Sequence, residues 1–384
     1  MSGKLARIVA ALIVIAICQS LHAANEDLKK FCDFIEVQCK KNEIPGLAIV
    51  IVDCDEVLLS EVFGFTDLDK KNPITRDTIF PIGSSTKPFT STLIAMLVSD
   101  GTMSWDDPVT KYLPEFDLKI KSDSTSDRVT IRDLLSHRTG FFHMQLIQTA
   151  VNWGQAADFS PPHTRDSLLR AAAEFEPKDS FRKRHNYSNV SMLAAALASG
   201  RACNTDWDTL MAQRMFKPLG MKRSSTSIRQ IDEHDAALAV GHLKGEQGIE
   251  KARLINLDVI SPAGGVNSTL ADMTKWLQLL LGEGRFEDQR LVTKEALQET
   301  WTSQITGADL GGMLPGADYG LGWFVKKWKG YRYVEHGGNA LGFSANVALI
   351  PDLRVGYVML SNVLPNPLQV TLSERVWEVM VSDR

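Results

Sequence analysis

Strand-like segments lie near the two ends of this chain, and the long stretch between them is dominated by helical patterns. Leu47 to Val52 and Val57 to Phe63 read as two strands joined at Asp53-Cys54-Asp55. Leu321 to Lys327, Ser344 to Ile350 and Val355 to Ser361 read as three more, with a further strand from Tyr331 to Glu335. From about Asp106 to Asn256 the clearest elements are helices at Arg132 to Ser136, Asp166 to Phe175 and Val190 to Ala202. Strands at both ends with helices between them predict one sheet built from both termini, residues 24–105 and 257–384, around a helical insertion, 106–256. Other helices are expected over 26–42, ended by Ile44-Pro45-Gly46, and over Ala271 to Leu281 and Leu368 to Val381. A strongly apolar helix is expected from about Ser85 to Ser99, with Pro88 in its first turn and Gly101 as its stop. The segment from Phe65 to Pro81 reads as loop.

The 384 residues are 44% hydrophobic and 23% charged, a globular composition with length for a large core. A formal net charge of −4 argues against a nucleic-acid partner. Lys4 and Arg7, the apolar run from Ile8 to Cys18, and the small residues Ala23 and Ala24 read as a cleaved signal peptide, residues 1–23. The mature form would then be secreted or periplasmic, with no stable membrane span; an uncleaved anchor is the alternative. Four cysteines remain: Cys32, Cys39, Cys54 and Cys203. Cys32 and Cys39 share one predicted helix about 10 Å apart along its axis, too far for a mutual bridge. Cys54 could pair with either of them, and four reduced thiols fit equally.

Ser84-Ser85-Thr86-Lys87 follows Gly83 and places a serine hydroxyl about one helical turn before a lysine, on one face. A serine is a poor nucleophile until a neighbouring base takes its proton, and a lysine kept partly neutral by its surroundings can do so. The same pattern also fits an N-capping serine ahead of a surface lysine. Tyr187-Ser188-Asn189 offers a phenol and a carboxamide beside a helix start; cationic neighbours could lower the tyrosine pKa and let a phenolate relay protons. His336-Gly337-Gly338 follows a strand, where glycines let a substrate lie against backbone amides able to face an oxyanion. Ala263-Gly264-Gly265 is a further point of close approach. In Leu134-Leu135-Ser136-His137-Arg138-Thr139-Gly140, a helix end and loop, His137 reads as structural. No G-x-S-x-G elbow, H-E-x-x-H, paired C-x-x-C or phosphate-binding glycine loop is present, so neither a metal nor another cofactor is expected.

These five segments, in their order along the chain, resemble the serine β-lactamase and penicillin-binding-protein-like superfamily. The resemblance runs from about residue 26 to 380 and is to the branch holding class C β-lactamases, related esterases, D-amino-acid peptidases and animal β-lactamase-like proteins. It implies an α/β (α+β) fold, an antiparallel sheet flanked by helices beside an all-helical domain, with the active site in the cleft between them. It also implies Ser84 as the acylated nucleophile, Lys87 and Tyr187 as the proton-handling pair and Asn189 as a third polar corner. The oxyanion would be held by the amides of Ser84 and Asn339, with His336, Gly337 and Gly338 along the substrate. Which of Lys87 and Tyr187 is the base stays open.

One departure matters. β-lactamases and penicillin-binding proteins usually carry Lys-Thr-Gly or Lys-Ser-Gly where this chain has His336-Gly337-Gly338. A histidine is mostly neutral at pH 7 and glycine has no hydroxyl, so ester or amide cleavage is expected over efficient β-lactam hydrolysis. The leading expectation is an exported serine hydrolase acting on a small-molecule or peptide-like substrate. An acyltransferase of the same fold and a catalytically silent binding or scaffolding protein are the alternatives. Phe141, Phe142, Trp153 and Trp323 could line an acyl pocket or fill the core. The sequence does not specify an oligomeric state.

Overall fold

The structure, a computed structural model, describes residues 26–141, 164–232, 235–308, 310 and 312–381. The proposed signal peptide, Phe142 and Trp153 lie outside the described residues. Eight strands form one antiparallel sheet: β1 (Gly46–Asp53), β2 (Glu56–Asp67), β3 (Asn72–Pro73), β4 (Asp318–Tyr319), β5 (Phe324–Trp328), β6 (Tyr331–Ala340), β7 (Phe343–Ile350) and β8 (Val355–Ser361). Their spatial order is β4-β5-β6-β7-β8-β1-β2-β3. The two ends of the chain therefore meet at the β8–β1 seam, where Val50 pairs with Val358.

β1 shows why the sheet is a middle layer. Period-two alternation sends Leu47, Ile49 and Ile51 to one face and Ala48, Val50 and Val52 to the other, and all six are buried. The first set packs with Phe31 and Ile35 of α1 (26–41) and with Leu372, Val376 and Trp377 of α7 (Leu368–Val381). The second set joins a larger core with α2 (Lys87–Ser99), α5 (Asn189–Ala202) and α6 (Leu270–Leu281). A strand covered on both faces has to be apolar almost throughout.

Shorter helices include α3 (Ile131–Leu135) and α4 (Arg165–Ala173), each opened by a threonine capping box, Thr130 and Thr164. α2 is buried from Lys87 to Leu97, so it runs through the interior. Among the described residues, no helix is long and apolar enough to cross a membrane.

Two expectations need correction. The segment 65–81 holds the end of β2, all of β3 and a strand at Ile79–Pro81. Pro73 is tolerated because β3 lies at the sheet edge. The helical stretch also contains a hairpin, His242–Gly245 with Gly248–Lys251, extended by Val363–Leu364. Of the two cysteine readings the structure has the four free thiols: Cys32, Cys39, Cys54 and Cys203 are unpaired. Cys39 is buried near the end of α1 that leads into β1, and Cys54 lies beyond the far end of that strand, roughly 25 Å of extended chain away.

Candidate active site

The short strand Ile79–Pro81 pairs antiparallel with Asn267–Thr269, and Ile82 N donates to the Val266 carbonyl at 3.0 Å. This pairing lays residues 262–266 alongside the turn that leads into α2. The turn, Gly83–Thr86, is a 3-10 helix, so the expected α-helix begins two residues later, at Lys87. Gly83 has φ +53°, and a Cβ there would come within 2.6 Å of the Asn339 backbone. Hydrogen bonds fix the residues around the serine. Ser85 Oγ donates to the His336 carbonyl at 3.0 Å, Val266 N to Thr86 Oγ1 at 3.1 Å, and Thr90 Oγ1 to the Pro262 carbonyl at 2.6 Å. Within this turn Ser84 alone is half-exposed; Gly83, Ser85 and Thr86 are buried.

Ser84 does not cap a helix, and Lys87 is not at the surface. Lys87 Nζ lies 3.1 Å from Ser84 Oγ and 2.8 Å from the Ala263 carbonyl it donates to. Both partners are uncharged. Burial therefore holds the Lys87 amine well below the ordinary lysine pKa.

The Tyr187 hydroxyl hydrogen-bonds with the Ser84 side chain, and Lys87 Nζ sits 4.6 Å from the Tyr187 ring centroid. The expected lowering of the Tyr187 pKa is reversed: burial pushes the phenol up, although the bond to Ser84 opposes it. A lysine whose charged form burial disfavours offers little charge to stabilise a phenolate. Ser188 caps α5 by accepting from Ser191 N at 3.2 Å, and this sets Tyr187 just outside the helix. Asn189, the first residue of α5, is half-buried, and its Oδ1 has no hydrogen-bond partner among the described residues.

The strand expected to end at Glu335 continues as β6 to Ala340, paired with β7 through the glycines. Tertiary pairing overrides their weak strand propensity. Gly338 presses on the serine turn so closely that a Cβ would lie 1.9 Å from the Ile82 carbonyl oxygen. Asn339 follows, with its backbone against Gly83 and its side chain exposed.

His336, expected along the substrate, is instead enclosed at 1% exposure. Its Nδ1 lies 2.7 Å from the Gly337 carbonyl, which can only accept, so Nδ1 carries the proton. Nε2 then accepts from the Tyr319 hydroxyl at 3.0 Å. Burial, with Lys87 nearby, pushes the His336 pKa down to about 3. The ring is a neutral wall behind Tyr187, with centroids 6.3 Å apart.

Sequence reasoning missed Tyr319 and His185. Tyr319 lies outside every motif, yet its buried ring meets those of His137, His185 and Phe324 at 4.9, 5.0 and 4.7 Å. Burial lowers the His185 pKa to about 4. His137 acts as a structural tie: its carbonyl accepts from Asn186 N at 2.7 Å, its Nδ1 from Ser188 N at 3.3 Å, and its ring packs 4.7 Å from that of Tyr187. Trp323 and Phe141 belong to the core, Trp323 stacked with Trp276 and Phe141 edge-on to Phe175.

An antiparallel sheet carrying a serine turn against one strand, with a lysine and a tyrosine on the serine hydroxyl, defines the β-lactamase/transpeptidase-like class of fold. The octameric penicillin-binding protein homologue from Pyrococcus abyssi aligns with a TM-score of 0.78 at 24% identity, over 93% of this chain and 78% of that one. D-alanine carboxypeptidase AmpC from Burkholderia cenocepacia aligns with a TM-score of 0.73 at 23% identity, over 94% and 99%. Residues 31–380 match the Beta-lactamase family, and the chain belongs to that family.

Among named relatives, the unguisins hydrolase ungD' of Aspergillus campestris (strain IBT 28561) is 26% identical over 86% of this chain. Protein flp of Staphylococcus aureus (strain MW2) is 25% identical over 88%, and the beta-lactamase of Escherichia coli (strain K12) 23% identical over 96%. The chain spans 61% of the unguisins hydrolase and 64% of protein flp, but 97% of the E. coli protein. Membership supports serine hydrolase or acyl-transferase-like chemistry at the level of the family.

Proposed function

We propose that this protein is an exported serine hydrolase that cleaves an ester or amide bond through an acyl-serine intermediate. The observation that carries the reading is Lys87: a buried amine with uncharged partners, in hydrogen-bond reach of a half-exposed serine hydroxyl. Neutral Lys87 takes the proton of Ser84 Oγ, and the oxygen attacks the substrate carbonyl carbon. The amides of Ser84 and Asn339 receive the oxyanion. As the tetrahedral species collapses, the carbonyl re-forms, the bond to the leaving group breaks, and that group takes a proton through Tyr187 from Lys87. Tyr187 remains a phenol between steps, in keeping with its raised pKa. Water then enters and its oxygen attacks the acyl carbon as Lys87 takes a proton from it; the bond to Ser84 Oγ breaks, Lys87 returns that proton to Oγ, and the acid leaves.

Substrate preference follows from His336. Buried and neutral, it offers no full charge to a substrate carboxylate, which supports esters and peptide-like amides over β-lactams. Serine, lysine and the oxyanion strand come from the sheet-bearing unit (24–105 and 257–384), Tyr187 and Asn189 from the helical unit (106–256), with the cleft between them. Export rests on the apolar start of the chain.

The test is labelling of purified protein with a fluorophosphonate, beside turnover of short-chain esters, D-amino-acid amides and a chromogenic cephalosporin. Wild type is expected to label and to cleave an ester or amide, and Ser84→Ala to do neither. Turnover that survives Ser84→Ala removes the serine from the mechanism.

A further inference from the structure

The last helix reaches the oxyanion strand through one side chain. Gln369, in the first turn of α7, donates from Nε2 to two main-chain oxygens, Ala345 at 2.8 Å and Gly338 at 3.3 Å. Its main-chain carbonyl oxygen accepts from Asn346 Nδ2 at 3.3 Å, and that nitrogen also donates to the Tyr357 hydroxyl at 2.8 Å. Gln369 is thus anchored to β7 while it holds β6. Gly337 leaves the room it needs, since a Cβ there would stand 3.1 Å from Gln369 Nε2.

In a planar trans peptide the carbonyl and the following N–H point in opposite directions. Holding the Gly338 carbonyl toward α7 turns the Asn339 N–H away from α7. On that other side lies the serine turn: a Cβ on Gly83 would be 2.6 Å from Asn339 N, and one on Gly338 would be 2.5 Å from Ser85 N.

We infer that Gln369 is a positioning residue that aims the Asn339 amide at the oxyanion formed on Ser84. The inference rests on the acyl-serine reading above. Donors in an oxyanion hole act because they are aligned before the charge develops, so loosening this peptide weakens one of two donors without deleting it. The cost falls on the tetrahedral species and not on the bound substrate.

The test is Gln369→Met, which keeps the length of the side chain and removes both donors. For a short-chain ester, kcat is expected to fall about tenfold to a hundredfold while KM stays within about twofold. Affinity for a boronic acid that adds to Ser84 should fall by the same factor as kcat. Gly337→Ser, which crowds Gln369, should give a similar loss, and the double variant little more than either alone. Thermal midpoints separate this from unfolding. Wild-type kcat and boronate affinity in Gln369→Met would overturn the role, as would a rise in KM with kcat intact. Wild-type protein no faster than Ser84→Ala would instead sink the acyl-serine reading and this role with it.

Discussion

The Lys87 amine stands over the face of the Tyr187 ring, 4.6 Å from its centroid, while both side chains touch Ser84. Burial disfavours the charged form of both the amine and the phenol. In the mechanism proposed above, Lys87 becomes a cation above a π face when it accepts the serine proton, an attraction that strengthens in a site shielded from water. The pair therefore favours the moment of proton transfer over the resting state.

Tyr187→Phe keeps the ring and removes the hydroxyl. With Lys87 as the base, kcat is expected to fall about a hundredfold while the acid limb of the pH–rate profile stays in place. A limb displaced by a full unit in the phenylalanine variant would assign the titration to the phenol.

Lys87→Met should abolish turnover without lowering stability at pH 7. The folded-state pKa of Lys87 lies below its unfolded value, so between the two the unfolded chain binds the extra proton. Wild-type stability from this group therefore rises with pH across that window, and the variant lacks the rise. Urea midpoints of both proteins at pH 7 and 9 check this, since other titrating groups cancel in the difference. A methionine protein with a much lower midpoint at pH 7 would contradict it.

Two histidines whose charged forms are disfavoured by desolvation act at lower pH with the same sign. His336 has a folded-state pKa of about 3 and His185 of about 4, both below the unfolded value near 6.5. Their contribution is complete above about pH 6.5 and is lost as the pH falls toward those folded values. For His336 alone the loss between pH 6.5 and 4.5 is about 2 kcal/mol. His336→Gln should flatten the stability curve over that interval, measured by chemical denaturation; parallel curves would mean that His336 is protonated in the fold.

Two glycines near Ser84 should respond differently to alanine. At Gly338 the new Cβ would meet a backbone oxygen at 1.9 Å, so β6 or the serine turn must move. Gly338→Ala is expected to cost about 2 kcal/mol or more and most of the activity. At Gly264 the nearest atoms are 3.8 Å away, an ordinary contact, and Gly264→Ala should leave both nearly unchanged. Thermal melts and ester turnover of the two variants settle the contrast.

Much of this protein was legible in local patterns. Strand-like and helical local patterns located β8 and α7 at the bounds the structure shows, and the three-residue spacing of Ser84 and Lys87 put both on one face. Those features depend on neighbours within a turn or two of chain, and that information is local. The fold decided what depends on distant residues. Pairing with β7 carries β6 on through Gly337 and Gly338, and Ser85 meets the His336 carbonyl from far along the chain. Desolvation shifted the pKa values of Lys87, Tyr187 and His336, and Tyr319, in no motif, became the partner of His336. Desolvation sums over everything packed around a group, so only the assembled structure could determine it.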